Sequence, residues 1–211
     1  MRKSSRTFLE KLLAVPSPSG YEGPVRDVWV EETRKYAEKV TVDVHGNGIA
    51  VQNSKGSPRI MMAGHMDELG FLVLHIGEDG YIYFQTIGGF DPGLISGRKV
   101  RIHSEKGPVF GVIGKKAVHL IEGEERNKSP KVHDIWIDIG AKDGKEAKKL
   151  VRIGDPITYD ANFEVLRGNL AVSRGFDNKM GAYIVAETLR SVSQSKKKSK
   201  ASLYAVATVQ E

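Results

Sequence analysis

In "RIMMAGHMDELGF", residues 59 to 71, an apolar run breaks at His65, with Asp67 two positions later and Glu68 beside it. Two-residue spacing on extended chain puts the side chains of His65 and Asp67 on the same side. A metal-binding imidazole needs its second ring nitrogen tied down, and a neighbouring carboxylate does that well. The pair therefore reads in two ways: a ligating histidine oriented by Asp67, or a histidine hydrogen-bonded at a strand end with acids facing water. Asp177, in "SRGFDNKMGAY", stands where a helix is expected to begin. A carboxylate there ordinarily caps free N–H groups, but its two oxygens can instead bridge two cations about 3.5–4 Å apart. Gly175, Gly181 and Ala182 around it are small enough to let backbones approach closely. Glu211 closes "SLYAVATVQE". At the mouth of a buried strand it could act as a general base on a water, and otherwise it is a solvated terminus.

These groups lie far apart in sequence, so the elements that carry them must bring them together. Residues 4 to 15 and 24 to 37 have helical spacing, the second with Pro24 in its first turn and Val25, Val28, Trp29 and Tyr36 along one face. "KVTVDV" and "IAVQN" flank a "GNG" turn, and "RIMMAG" runs as a strand into His65. From Leu69 to about Leu166 the rhythm changes. Short strands ("FLVLHI", "YIYFQTI", "KVRIHS", "PVFGVIG", "DIWIDIG", "DPITYD") are separated by turn signals, with one short helix near 143 to 150. A long helix, a lysine-rich loop and the strand "SLYAVATVQ" then restore the first pattern. The expected architecture is α/β: one α/β domain from residues 1–67 and 167–211, interrupted by a β-rich, barrel-like unit at 68–166. In open α/β sheets ligands collect beyond the carboxyl ends of strands, which is where His65 and Glu211 fall.

Bulk properties bound the reading. With 211 residues and 40% hydrophobic content the chain can bury one substantial core, or one domain carrying a smaller second one. No stretch approaches the roughly 20 apolar residues that span a bilayer, and Glu10 and Lys11 interrupt the start where a signal peptide needs an apolar run. Without cysteine there are no disulfides or thiolate metal sites, which fits a cytoplasmic protein and leaves His and carboxylates as the metal ligands. The net charge is +6, yet the one dense basic run, "KKKSK" at 196–200, has no interleaved aromatics. It reads as a solvated loop, and neither nucleic acid nor a membrane is expected as a partner.

Taken in order, "AGHMDELGF", "IGGFDPGLISGRKVRI", "GVIGKKAVHL", "DIWIDIGA", "VRIGDPITY", "SRGFDNKMGAY" and "ATVQE" resemble the di-metal aminopeptidases that include the glutamyl and deblocking enzymes, also called tetrahedral aminopeptidases. The resemblance runs from about residue 6 onward. It implies an α/β/α catalytic domain, peptide substrates, and two divalent ions, zinc or cobalt. By the same resemblance His65 is a ligand of one ion with Asp67 orienting it, Asp177 bridges both ions, and Glu211 is the general base. The interruption at 68–166 then serves assembly, as dimers that build a twelve-subunit shell. Family members carry further ligands, a second glutamate, an aspartate and a histidine, beyond the position where this sequence stops. The expectation is a truncated chain with two of five protein ligands and little or no catalysis alone.

Two other readings stay open at this level. Relatives have been described as endoglucanases, which need two carboxylates flanking a sugar. The chain could also be a non-catalytic assembly or binding module. His45, His75, His103, His119 and His133 have no chemistry assigned to them, although His119 in "KKAVHL" is a candidate to approach an active site through an oligomer. Side-chain preference and metal identity lie outside what the sequence specifies.

Overall fold

The computed structural model describes residues 1–121, 123 and 128–211. These form two compact units: residues 1–68 with 162–211, and residues 69–161.

The first unit is built on a four-stranded sheet. Helices α1 (Lys3–Ala14) and α2 (Gly23–Thr33) precede strands β1 (Lys39–Val42), β2 (Gly48–Gln52) and β3 (Arg59–His65). After the second unit come a two-stranded ribbon, the 18-residue helix α4 (Phe176–Ser193) and strand β12 (Ser202–Thr208). The sheet order is β1-β2-β12-β3, with β12 antiparallel to β2 and parallel to β3. A last strand in the middle of a sheet must be apolar on both faces. In β12, "SLYAVAT", all but Tyr204 and Thr208 are buried. The three helices pack on one another and on the sheet through Phe8, Leu12 and Leu13 of α1, Val25 and Trp29 of α2, and Ala182, Val185, Ala186 and Leu189 of α4. Trp29 is fully buried and donates its indole N–H to the Ala182 carbonyl at 2.8 Å, which fixes α4 to α2 in both position and rotation.

Helix α2 ends at Thr33, short of the expected residue 37. The Thr33 hydroxyl donates to the Trp29 and Val30 carbonyls, and the chain leaves through tight turns over 34–37. The lysine-rich loop is an exposed connection whose end is pinned by Asn53, whose amide donates to the carbonyls of Ser199, Lys200 and Ala201.

The second unit is a closed antiparallel barrel. Its strands are β4 (Gly70–Ile76), β5 (Ile82–Ile87), β6 (Lys99–Ser104), β7 (Gly107–Lys115), β8 (Ile135–Asp138) and β9 (Pro156–Tyr159), in the order β4-β5-β8-β7-β6-β9, with helix α3 at Gly144–Leu150. Alternating residues fill the interior: Val73, Val100, Ile102, Ile113, Ile137 and Ile157 are buried, and Phe71 meets Phe84, Phe90 and Tyr159 at ring distances of 4.5–5.4 Å. His103 belongs to this fabric, with its Nε2 2.9 Å from the Thr158 hydroxyl. Part of the "HLIEGEERN" segment after His119 lies outside the described residues.

The units divide at 68/69 and 161/162, where the sequence placed the limits at 67/68 and 166/167. Glu68 belongs to the first unit because its carboxylate is paired there with Lys179 and Arg174. Residues 164–165 (β10) belong there because they pair with Ala171–Val172 (β11). Among the described residues no helix is long and apolar enough to cross a membrane.

Candidate metal and hydrolytic site

Parallel pairing explains how the ends of the sequence meet. The register matches Ser202 with Arg59 and Thr208 with His65, so both strands end at the same level, and Met66 N–H donates to the Thr208 carbonyl at 2.8 Å. The residues just beyond the two strands, Met66–Glu68 on one side and Val209–Glu211 on the other, therefore emerge at one edge of the sheet. Register thus brings the segments that carry His65, Asp67 and Glu211 to one edge.

Helix α4 brings the fourth group. Its Gly181–Ala182 backbone lies so close to Gly64 of β3 that a Cβ on Gly64 would fall 2.3 Å from the Gly181 carbonyl carbon and 2.5 Å from the Ala182 nitrogen. Gly181 and Ala182, two of the small residues noted around Asp177, thus serve a close strand–helix crossing one residue before His65. Asp177 itself is not the helix cap. It and Asn178 have non-helical backbone angles, and the peptide bond between them is cis. Asn178 takes the capping role, its side-chain oxygen accepting the Gly181 N–H at 2.9 Å. The Asp177 carboxylate, with its side chain 94% exposed, is left to face the histidine.

The resulting geometry centres on the His65 ring. Nδ1 lies 3.0 Å from Asp67 Oδ1, while Nε2 lies 3.3 Å from Asp177 Oδ1 and 3.4 Å from Glu211 Oε2. An ionised carboxylate only accepts, so Nδ1 carries the proton that Asp67 holds. In the neutral ring Nε2 then presents its lone pair to two carboxylates. Acceptor facing acceptors is unfavourable unless a proton on Nε2 or a metal cation lies among them. An imidazole nitrogen with a carboxylate oxygen is the donor chemistry of zinc, cobalt or manganese, so the residues present fit such an ion in kind. They do not complete its shell: among the described residues no group of three or more His, Cys, Asp or Glu side chains is arranged to hold a metal.

A buried ion cluster supports this edge, and sequence pattern gave no sign of it. Glu68 Oε1 is paired with Lys179 Nζ at 2.9 Å and with Arg174 Nη1, and it accepts the Ser17 N–H at 2.9 Å. Both cations also reach the end of α1, Lys179 donating to the Val15 carbonyl at 2.6 Å and Arg174 to that of Ala14 at 2.9 Å. Burial pushes the Glu68 carboxyl up, but Lys179 and Arg174 outweigh it and hold the group below its ordinary value. Burial takes Lys179 down to about 8, with Glu68 opposing a further fall. Only the separations in sequence, 111 residues for Glu68–Lys179 and 106 for Glu68–Arg174, kept this cluster from being read in advance.

Known proteins resemble this chain in both sequence and fold. The family model described as M42 glutamyl aminopeptidase matches residues 46–211. The chain is 34% identical to the lysyl aminopeptidase of Pyrococcus furiosus over 209 residues, covering 97% of this chain and 58% of that protein. The TET aminopeptidase of a marine-sediment thaumarchaeote superposes with a TM-score of 0.95 at 34% identity, covering 99% of this chain and 60% of that one. For the Pyrococcus horikoshii TET1 peptidase, said to assemble into a tetrahedron or a large octahedral shell, the values are 0.86, 33%, 98% and 61%. A Thermotoga maritima structure titled as an endoglucanase gives 0.80, 31%, 96% and 59%. The chain spans a little over half the length of the curated relatives it matches.

Proposed function

The chain belongs to the M42 glutamyl aminopeptidase family, and from that premise we propose that its site takes part in metal-dependent removal of N-terminal residues from peptides. The observation that carries this is the His65 ring, tied through Nδ1 to Asp67 and facing Asp177 and Glu211 through Nε2. His65 and Asp177 would hold the metal, two divalent ions of zinc or cobalt in the complete site. The chemistry supplied there is polarisation of the scissile carbonyl and acidification of a water. Asp67 keeps the imidazole in the ligating tautomer. Glu211, with its side chain 72% exposed, accepts the proton of the attacking water and returns it to the departing amine.

The endoglucanase reading is less well served. Its two carboxylates must flank a sugar, whereas here Asp177 and Glu211 both face one imidazole. Expressed as these 211 residues, the protein is expected to take up cobalt weakly, to lose that uptake in His65→Asn and Asp177→Asn, and to keep it in Glu211→Gln. Hydrolysis of aminoacyl-nitroanilides by the same chain should stay near background. Cobalt spectra indifferent to His65→Asn, or cleavage of a cellulose-derived substrate, would overturn the assignment. Turnover abolished by Glu211→Gln would instead show that two protein ligands suffice.

Assembly through the barrel is part of the same proposal. Leu74, Phe110 and Val112 of β4 and β7 stand on its outside, each about half exposed, and the Arg101 guanidinium covers the Phe110 ring at 4.4 Å. Sedimentation of the chain should show association rising with concentration and falling in Phe110→Glu. A monomer at every concentration is the contrary result.

A further inference from the structure

The segment "PSPSGYE", residues 16–22, touches the chain beyond both strand ends, at Met66–Glu68 and at Gln210, although it contributes no ligand. Ser17 runs beside Met66–Glu68: its N–H donates to Glu68, its hydroxyl to the Met66 carbonyl at 2.8 Å, and its own carbonyl accepts the Glu68 N–H at 2.9 Å. The Ser19 hydroxyl donates to Asp67 Oδ2, across 48 residues of sequence. Glu22, 5% exposed, accepts the N–H of Gly20 at 3.0 Å and that of Gln210 at 3.1 Å through a single oxygen. Gln210 has φ 51, in the left-handed region that a glutamine seldom occupies, and it turns the chain so that Glu211 reaches His65.

We propose that Ser19 and Glu22 are positioning residues, the first for the imidazole and the second for the general base. Asp67 is buried, at 4% exposure. Its Oδ1 is taken by His65 Nδ1 and, at 3.4 Å, by the Glu211 N–H, so the plane of the carboxylate depends on a donor for Oδ2. Ser19 is that donor. Without its hydroxyl a buried oxygen lacks a partner, the carboxylate turns toward another donor, and His65 loses the acceptor that sets its tautomer. Glu22 acts at the other strand: its carboxylate holds the Gln210 peptide in the left-handed turn and anchors that turn to the loop carrying Ser19.

The cobalt arm of the test rests on the metal-hydrolase reading, whereas the tautomer arm does not. With ¹⁵N-labelled histidine at about pH 8.5, where an ordinary histidine is neutral, His65 of the unaltered chain should be the Nδ1–H form. Ser19→Ala should move it toward Nε2–H, the form an unconstrained histidine side chain prefers, and should weaken cobalt binding about tenfold. Ser19→Thr, which keeps the hydroxyl, should restore both. Glu22→Ala should speed hydrogen exchange of the Gln210 amide about tenfold or more, because an amide held by a carboxylate is released. An unshifted Trp29 indole N–H, which donates to the Ala182 carbonyl inside the first unit, will show that each variant is folded. A His65 that stays wholly Nδ1–H in Ser19→Ala, or Gln210 exchange unchanged in Glu22→Ala, overturns the proposal. A tautomer shift rescued by threonine in a chain that takes up no cobalt leaves the positioning role standing and removes the metal reading instead.

Discussion

Glu68→Ala is expected to destabilise the first unit by about 3–5 kcal/mol, the usual cost of removing one partner from a buried ion cluster. Lys179 is 0% and Glu68 2% exposed in their side chains, and Arg174 is 11% exposed, so no solvent replaces the lost carboxylate. Two cations would then share a pocket with the carbonyls of Ala14 and Val15 as their remaining acceptors. The pH dependence distinguishes this from simple loss of packing. Glu68 is held below its ordinary 4.5 in the folded protein, so its contribution is fully present above that value and is lost as pH falls through the folded-state value. The stability gap between the unaltered chain and Glu68→Ala should therefore be full near neutrality and close below about pH 4.5. Urea midpoints measured across that range give the answer. A gap that persists unchanged into acid would mean that the carboxylate's charge plays no part.

The physics behind these effects decides what could be read from sequence. Period-two alternation betrays a strand wherever it is local, and so the six barrel strands are visible in residues such as Phe71, Val73, Val100 and Ile102, which point inward because their neighbours point out, whereas the run into His65 reads as a strand from its unbroken apolar character. The meeting of His65 and Glu211 was legible too, once β3 and β12 are taken as strands of one sheet. What stayed hidden depends on contacts between distant residues of ordinary type. Ser19 looks like any loop serine until Asp67 is folded over it. Glu68 in "MDEL" looks solvated until Lys179, on the inward face of α4, is seen to have its nitrogen on the carboxylate. Helix capping misleads for a related reason: "FDNKMG" offers two good caps in succession, and only the backbone angles show that Asn178 takes the role and leaves Asp177 free.

Gly64→Ala should be the most damaging single methyl that can be added to this chain near its site. The new Cβ would sit 2.3 Å from the Gly181 carbonyl carbon and 2.5 Å from the Ala182 nitrogen, and both are backbone atoms with no rotamer to yield. Carbon contacts are comfortable only near 3.5–4 Å, so strand and helix must part by roughly 1 Å. Overpacking of that kind costs about 3 kcal/mol. The displaced helix would strain the Trp29–Ala182 hydrogen bond, and it would carry Asp177 away from His65 Nε2, which it now approaches to 3.3 Å. Stability and site geometry should therefore fail together, cobalt affinity falling at least about tenfold even where the variant remains folded, since placement errors of this size are costly at reactive centres. Gly89→Ala is the control: a Cβ there meets nothing within 4 Å, and the change should stay within about 0.5 kcal/mol of neutral. Parallel urea and cobalt titrations of the two variants would decide the matter, and equal behaviour would show that the Gly64–Gly181 crossing does not set the distance between the imidazole and the carboxylate.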